Sequence, residues 1–438
     1  MTQATSEQRT QERSRLRAAA NNVLLHLHPP RVPAAALRFR YTWGLGGIST
    51  LLAVILLVTG VLLVFRYEPG VNTAYLSIQA IETKLFFGSL IRAVHHWSAN
   101  LLLITVFLHL LRVFFTGGFK QGRGGNWVVG ILLLLIVVAF NFTGYLLPWD
   151  QLAYWAITVA TSLAAYIPLV GSALQSFLLS GPQVGQAALS NFYAIHVALL
   201  PFCLLVMVTY HFWRIRKSGG ISQPVLAADE RRHSVTTIPH LVEREMAAAA
   251  VVFAGILLWS MFTPAPLAAH ADPTNSPNPA KAAWYFLGIQ ELLLHMHPLA
   301  AMILLLIILA LLLLLPLLER RDSDIGIYFR SAIGRRAAIA GALFSLNVTP
   351  LLIIADEFWI NLPATWPGLP VWISNGLLPL TFSLIGLLII YALIRLLLRA
   401  NHSETTVGLF TFLVVSLLLL TLTGIFFRGP NMALTLPF

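Results

Sequence analysis

The chain has 438 residues, of which 58% are hydrophobic and 10% are charged, against roughly 45–50% and 25% in an ordinary soluble domain. A soluble fold of this length cannot bury so much apolar surface, which excludes a soluble globular protein. The single cysteine, Cys203, excludes a disulfide framework and an iron–sulfur cluster held by this chain alone. The polar, arginine-rich N-terminus lacks the pattern of a signal peptide. We therefore expect an all-α polytopic membrane protein.

Apolar stretches long enough to cross a bilayer recur along the chain. About 20 residues are needed to span ~30 Å of hydrocarbon. The nine stretches that reach this length are 43–65, 87–115, 127–147, 191–213, 247–265, 299–318, 335–355, 372–398 and 406–427. Segment 151–190 is less apolar and contains several prolines and glycines, so we expect short helices at the membrane surface there.

The basic residues divide unequally between the two sides of the predicted membrane. If the N-terminus is cytoplasmic, five of the 28 basic residues fall outside, namely Arg66, Lys84, Arg92, Lys281 and Arg428. The other 23 fall inside, as the positive-inside rule requires. The net charge of +11 is then an orientation signal, and nucleic acid is excluded as a partner.

Histidines recur at matched spacings in two of the predicted spans. His95 and His109 are 14 residues apart, and His196 and His211 are 15 apart. At 100° per residue each pair returns to within about 40–60° of one direction, so it projects from one helix face with about 21–22 Å between its members. Two facing pairs fit two bis-histidine haems, whereas zinc ligands would converge at one point. A hydrogen-bonded core role is the alternative for each, and His96, about 100° from its neighbour, is interpreted as structural or surface.

Glycines repeat the histidine spacing. Gly46 and Gly60 in the first span, and Gly130 and Gly144 in the third, are each 14 residues apart. The lack of a side chain at these levels would let a flat macrocycle approach the backbone, with ordinary small-residue packing as the alternative. The first four spans therefore predict a dihaem four-helix bundle.

Four stretches resemble the cytochrome b subunit of the quinol:cytochrome c oxidoreductases, the cytochrome bc and bf complexes. They are LIRAVHHWSANLLLITVFLHLLRVFFTGGFK (90–120), GYLLPWDQLAYWAITV (144–159), FYAIHVALLPFCLLVMVTYHFWRIRK (192–217) and PNPAKAAWYFLGIQELL (277–293). The haem core is similar to the bf type, and the fusion of both halves in one chain is similar to the bc type. The resemblance implies oxidation of quinol at the outer face, with one electron passing to a Rieske protein and the other through two haems to a cytoplasmic-side quinone.

The resemblance also implies roles for individual residues. It implies that His95 and His196 bind the outer b haem, and that His109 and His211 bind the cytoplasmic one. In each case the haem would be held by two histidines without a covalent tether.

Four basic residues are expected beside these haems. Arg92 and Arg112 each lie three residues from a ligand and are expected to pair with haem propionates. Arg216 and Lys217 match the basic group beside the cytoplasmic haem and quinone, with a solvated interfacial cluster as the alternative.

The outer quinol site departs from the family pattern. Family members carry Pro-Glu-Trp-Tyr, whose glutamate accepts a quinol proton, and the aligned residues here are Ala282, Ala283, Trp284 and Tyr285. Quinol oxidation still releases two protons, so an acceptor is needed within hydrogen-bond reach. Trp284 and Tyr285, together with the LPWDQ sequence, are expected to frame the pocket.

Three residues are candidates for the missing acceptor: Glu291, Asp150 and His295. Glu291 lies eight residues after the second alanine, about 80° round and ~12 Å along a continuous helix, and a structural role is its alternative. Asp356 and Glu357, at the outer end of the seventh span, are candidates for proton exit or are simply solvated.

We divide the chain at the polar stretch 218–240. The expected parts are a cytoplasmic N-terminal segment 1–42, the dihaem domain 43–220, a half with the quinol-site loop and sixth helix at 221–330, and three further transmembrane helices with an outer-side tail at 331–438.

The expected partners follow from what the chain lacks. Gly44 aligns with the cysteine that tethers an extra haem in the bf type, and Cys203 lies in mid-helix, so no tethered haem is expected. A Rieske iron–sulfur protein and a c-type cytochrome are therefore expected, with the quinone pool (menaquinol rather than ubiquinol), membrane lipid and a homodimer within a larger complex. The expected location is the cytoplasmic membrane of a bacterium or archaeon, with the C-terminus outside.

Two other functions remain open at this level. One is a haem b membrane anchor that exchanges electrons between quinone and another redox subunit without bifurcation, which the missing glutamate favours. The other is a transporter without cofactor, in which the histidines relay protons.

Overall fold

The computed structural model describes residues 29–223, 233–319 and 325–436. Most of the predicted N-terminal segment, up to residue 28, and part of the predicted boundary at 218–240 lie outside these ranges. In chain order the helices are α1 (Phe39–Thr42), α2 (Leu45–Val64), α3 (Ala74–Lys84), α4 (Gly88–Phe115), α5 (Gly124–Leu146), α6 (Gln151–Ala164), α7 (Gly171–Leu179), α8 (Gln186–Lys217), α9 (His240–Phe262), α10 (Leu287–His295), α11 (Pro298–Leu318), α12 (Ala332–Phe358), α13 (Leu362–Thr365), α14 (Ile373–Leu397) and α15 (His402–Phe426).

Nine helices within these ranges are long and apolar enough to cross a membrane: α2, α4, α5, α8, α9, α11, α12, α14 and α15. The prediction of an all-α protein with nine spans is confirmed. A helix is favoured at each apolar stretch because all its backbone hydrogen bonds are made within the segment, which lipid requires. Segment 151–190 forms the shorter helices α6 and α7 and the beginning of α8, which agrees with the expected short helices.

The first four spans pack together. Helix α2 packs on α4, α4 on α5, and α5 on α8. Leu52, Ile55, Leu102 and Val137 belong to one buried cluster between these helices. The backbone of α8 is interrupted by a π-helical turn at Ile195–Leu199, which contains His196. Such turns insert an extra residue and re-aim the side chains around it.

The helices that follow α9 form a second packed group, which contacts the first four spans. Helix α15 packs along α12, and glycines permit the close approach: a Cβ atom added at Gly341 would lie 2.1 Å from the Gly408 carbonyl oxygen. Small residues at such crossings let two backbones pack closely in a membrane. Trp127 on α5 donates its indole N–H to Leu312 O on α11 (2.7 Å), which joins the two groups.

A short two-stranded sheet lies beside the helices. Strands β1 (Arg31–Pro33) and β2 (Ser234–Thr236) pair antiparallel, with Val32 opposite Val235. This sheet was not predicted from the sequence, because three-residue strands have no periodicity to detect. It brings the start of the described chain against the segment that precedes α9.

Candidate functional site

A cavity of about 1660 Å³ runs through the four-helix bundle. Its lining includes all four histidines predicted as ligands: His95, His109, His196 and His211. Pockets for one small ligand measure roughly 300–1,000 Å³, so this cavity has room for more than one. No group of three or more histidine, cysteine, aspartate or glutamate side chains that could hold a metal ion is found among the described residues.

The imidazoles of His95 and His196 face each other across the cavity. Their ring centres are 6.4 Å apart and their planes are inclined by 66°. A metal ion bound to one nitrogen of each ring, at about 2 Å per bond and about 1 Å from nitrogen to ring centre, requires about 6 Å. The separation therefore fits a single metal ion coordinated from both sides. We call this end of the cavity the His95 end and the opposite end the His109 end.

Threonine hydroxyls fix the orientation of both rings. Thr59 Oγ1 donates to Ile55 O (2.7 Å) and lies 2.9 Å from His95 Nδ1. Because the hydroxyl proton is already used, the oxygen accepts a hydrogen bond from Nδ1–H, which leaves the lone pair on Nε2. The geometry repeats at Thr143, whose Oγ1 donates to Ala139 O (2.8 Å) and lies 3.0 Å from His196 Nδ1. Metal-binding histidines are typically held by such a second hydrogen bond.

The predicted glycines lie against the histidines. A Cβ atom added to each glycine would meet a histidine Cε1 at the following distances: 2.6 Å from Gly144 to His196, 3.3 Å from Gly60 to His95, 3.5 Å from Gly46 to His109 and 3.8 Å from Gly130 to His211. The glycines therefore make room for the imidazole rings themselves. This differs in detail from the sequence-based expectation of room for a macrocycle.

Three polar atoms at the His109 end lack a hydrogen-bond partner among the described residues: Arg112 Nη2, His211 Nδ1 and Asn126 Oδ1. Arg112 lines the cavity, its guanidinium lies over the Tyr41 ring, and its Nε donates to Tyr41 O (3.0 Å). Its Nη2 is buried without a partner, and so is His211 Nδ1. A buried cationic donor of this kind favours an anionic group in the cavity, because a guanidinium binds carboxylates strongly.

Three other basic residues were predicted to lie beside the haems, and one of them, Arg92, lines the cavity. Arg92 donates to Glu82 on α3 and to the carbonyl oxygens of Ala265 and Pro266, because α3 packs against α4 and presents the carboxylate to it. Arg216 and Lys217 are exposed at the end of α8 and are not among the residues that line the cavity. The predicted cofactor contacts of these three residues remain predictions.

The loop that follows α9 contributes to the wall of the His95 end. Ala268 N donates to Asp150 Oδ2 (3.0 Å), and the other oxygen of Asp150 accepts from Ala153 N (2.9 Å) as the N-cap of α6. Trp284 Nε1 donates to Asn100 Oδ1 on α4 (2.6 Å). These contacts place Asp150, Asn100 and Trp284 on the cavity wall.

Tyr285 lies next to Trp284 on the same wall. Burial, with the charge of Tyr145 second, raises the pKa of Tyr285. Its hydroxyl therefore stays a neutral hydrogen-bond donor at physiological pH.

Glu291 does not lie where the sequence-based prediction requires. Its carboxylate is fully buried on α10, accepts from Arg428 Nη2 (2.6 Å), and is not among the residues that line the cavity. Its engagement by Arg428 disfavours Glu291 as the acceptor of a quinol proton, and that role stays a prediction. His295, the third candidate, lies beside Glu291 (Nε2 to Oε1, 3.3 Å) and is equally absent from the cavity wall. Asp150 is the one carboxylate among the described residues that line it.

Sequence reasoning missed several residues of the site. Thr59 and Thr143 immediately precede Gly60 and Gly144, so a repeated Thr-Gly pair in two spans was the available signal. Asn100 gave none, because its partner Trp284 is 184 residues away. His96, interpreted as structural or surface, also lines the cavity.

Comparisons with known proteins bear on this arrangement. The family model Cytochrome b/b6/petB matches residues 33–219. Cytochrome b6 of Acaryochloris marina (strain MBIC 11017) is 40% identical over 215 residues, which cover 49% of this chain and 96% of that protein. The chain belongs to the cytochrome b/b6 family. Cytochrome b6 of Synechococcus elongatus (strain ATCC 33912 / PCC 7942 / FACHB-805) is 41% identical over 215 residues, with the same coverage of 49% and 96%.

A solved structure matches a larger part of this chain than those relatives do. A solved structure described as "Hyperthermophilic respiratory Complex III" matches with a TM-score of 0.63 at 21% identity, over 87% of this chain and 90% of that one. The comparison supports the fold of the later helices as well as that of the bundle.

Membership of the family implies haem b, and the residues present fit it. The His95 and His196 rings are spaced for one metal ion, threonines leave their Nε2 lone pairs available, and Arg112 has an unpaired buried donor. A porphyrin would itself supply four of the six ligands of its iron, and two histidines would be enough to supply the rest.

Proposed function

We propose that this cytochrome b binds two b haems, each between two histidines. His95 and His196 hold one, and His109 and His211 hold the other. The observation that carries the proposal is the 6.4 Å separation of the His95 and His196 ring centres across the cavity. The second pair is supported by its place in the same cavity, with Gly46 against His109 and with an unpaired donor on Arg112.

We propose that the chain oxidises quinol at the His95 end and reduces quinone at the His109 end. The haems, when bound, accept and pass on single electrons. The chain holds them in an apolar cavity, and its threonines keep the histidine Nδ1 protons in place so that Nε2 remains the ligand. Helix-borne ligands keep this geometry rigid.

The wall at the His95 end supplies the groups that a quinol needs. The flat apolar faces of Trp284 and Tyr285 match a quinone ring, and the Tyr285 hydroxyl donates to a quinone oxygen. Asp150 takes the acceptor role that Glu291 was predicted to have, because its carboxylate is on the wall. Its two backbone hydrogen bonds hold it in place for a proton from the quinol hydroxyl.

Orientation and partners complete the proposal. The positive-inside rule places the His109 end and the N-terminus on the cytoplasmic side, and the His95 end and the C-terminus outside. Because the chain has a single cysteine, the acceptor of the first electron is a separate Rieske iron–sulfur protein, followed by a c-type cytochrome. We place the chain as a homodimer within a bc-type complex of a prokaryotic cytoplasmic membrane, with menaquinol as substrate.

Quinol-driven reduction in isolated membranes tests this function. Membranes that contain the whole complex receive a short-chain naphthoquinol, and the reduction of b haem and of an added c-type cytochrome is followed. An inhibitor of the cytoplasmic quinone site should leave extra b haem reduced, because electrons then enter the haems and cannot leave. Cytochrome c reduction without any b haem reduction would refute the proposal.

A non-bifurcating haem b anchor is the second candidate. It is favoured by Ala283, where the family carries its proton-accepting glutamate, and by the engagement of Glu291 with Arg428. Such a protein would exchange electrons between b haem and quinol without any Rieske partner, so removal of the Rieske protein would leave quinol-dependent haem reduction at the outer site intact.

A further inference from the structure

A buried ion pair joins α10 to the end of α15. Arg428 Nε donates to both oxygens of Glu291 at 3.1 and 3.0 Å, and Nη2 donates to Oε1 at 2.6 Å. The two side chains are 1% and 0% exposed. Arg428 Nη1 also donates to Glu357 Oε2 on α12 (2.7 Å). One guanidinium therefore fixes the relative positions of three helices at this end of the molecule.

Helix α10 packs closely against α15. A Cβ atom added at Gly288 would lie 2.6 Å from Thr421 Oγ1, and one at Gly424 would lie 3.1 Å from Leu287 Cβ. Lys281, just before α10, donates its Nζ to Ile425 O (2.9 Å). With such contacts at the start of α10 and in the loop before it, a shift of α15 shifts α10 as well.

The start of α10 forms part of the cavity wall. The turn Trp284–Phe286 leads directly into α10, and Trp284, Tyr285 and Leu287 line the cavity. Gln290 on α10 binds the preceding loop through two hydrogen bonds. Ala282 N donates to Gln290 Oε1 (2.8 Å), and Gln290 Nε2 donates to Ala280 O (2.7 Å). The position of α10 therefore sets the position of the two aromatic side chains.

We propose that Arg428 is a positioning residue for the quinol pocket: through Glu291 it holds α10, and with it Trp284 and Tyr285, in register with the cavity. The inference rests on the proposed quinol oxidation at the His95 end. It gives the last transmembrane helix and the tail a function in the site, although both lie well beyond residue 219, where the match to the cytochrome b/b6 family model ends.

Substitutions at the ion pair test this inference in membranes that contain the whole complex. The variants are Arg428→Gln, Arg428→Lys and the double variant Glu291→Gln with Arg428→Gln. The double variant matters because removal of one partner alone leaves a buried charge unpaired and can prevent folding. Arg66→Gln is the matched control, since Arg66 is an exposed arginine that does not line the cavity.

The readouts are haem content per protein, and KM and kcat per haem for a short-chain naphthoquinol. We expect the Arg428→Gln and double variants to retain haem and to raise KM about tenfold, with a smaller change in kcat, because a displaced wall weakens quinol binding. Arg428→Lys should recover part of the loss, and Arg66→Gln should match the wild type.

Two results would overturn the inference. One is a KM within about twofold of the wild-type value in the double variant and in Arg428→Lys. The other is a loss of activity that follows haem content, so that turnover per haem and KM are unchanged. The wild type is assayed first: no quinol oxidation there refutes the proposed function, whereas normal wild-type oxidation with an unchanged variant KM refutes this inference alone.

Discussion

Gly144 lies directly against the imidazole of His196: a Cβ atom added at Gly144 would lie 2.6 Å from His196 Cε1. At Gly130 the corresponding atom would lie 3.8 Å from His211 Cε1, which is an ordinary van der Waals contact. Two glycines with the same predicted role therefore differ in the space that they leave.

This difference predicts opposite outcomes for the same substitution. Gly144→Ala should displace the His196 ring and lower the b haem content to about half, since one of two sites loses a ligand. Gly130→Ala should retain nearly all of it. Absorption spectra of the purified variants measure the haem content, and equal content in both would contradict the close contact at Gly144.

Loss of a threonine hydroxyl at the His95 end should affect haem binding less than the loss of a histidine ligand does. Thr143→Val removes the oxygen that accepts from His196 Nδ1–H, which weakens the ligand without removing it. We expect a measurable shift in the midpoint potential of one haem only, with haem affinity reduced about 10- to 100-fold. Redox titration of the two b haems separates the sites.

Thr161→Val is the matched control for this substitution. Thr161 is a buried helical threonine whose hydroxyl donates to Ile157 O (2.8 Å) in the same way. Thr161 contacts none of the four cavity histidines among the described residues. The b haem midpoint potentials of its variant should therefore equal those of the wild type. A shift of equal size in both variants would mean that general packing, rather than the histidine bond, is responsible.

Asn100 predicts a change in quinol binding without a change in haem. Asn100→Ala removes the acceptor for the Trp284 indole N–H, and loss of a well-aligned hydrogen bond of 2.6 Å costs about 1 kcal/mol. That corresponds to a KM for quinol about fivefold higher. Steady-state kinetics check the prediction, and an unchanged KM would show that the bond between Trp284 and Asn100 does not contribute to quinol binding.

His295 predicts a pH dependence of stability. Burial lowers its pKa, but hydrogen bonds and charges of Asp356 and Glu291 outweigh that effect and raise the pKa of His295 to about 9 from an ordinary 6.5. Because the folded-state value is the higher one, the stabilisation is complete below pH 6.5 and is lost as the pH rises through about 9. It amounts to on the order of 2 kcal/mol.

Thermal unfolding in detergent at pH 7 and pH 10 measures this effect. The wild type should lose more stability between the two pH values than His295→Gln does. His240→Gln, which changes an exposed histidine at the start of α9, should behave as the wild type. An identical pH dependence in wild type and His295→Gln would show that the histidine is not charged in the folded state.

The spans and the histidine pairs were predictable because their signals are local. An uninterrupted apolar run such as Leu45–Val64 leaves only a membrane helix as a stable structure. His95 and His109 belong to one helix, so the 3.6-residue repeat is enough to place both on one face.

The quinol-site residues were less predictable because their partners are distant in sequence. Glu291 pairs with Arg428, 137 residues later, and Asp150 binds the Ala268 amide, 118 residues later. The pattern of apolar residues within one segment does not indicate such a contact. Whether a carboxylate such as that of Glu291 forms an ion pair or is available as a proton acceptor is therefore decided by which helices meet at its position.

Counting the haem bound by the purified protein tests the central proposal most directly. A pyridine haemochrome assay of the wild type should give two b haems per chain, and His196→Ala and His211→Ala should each leave one. In a redox titration followed by absorption, each variant should lack one of the two b haem transitions of the wild type, and the missing transition should differ between the two variants. One haem or none in the wild type, or two haems retained in either variant, would contradict the assignment of the four histidines.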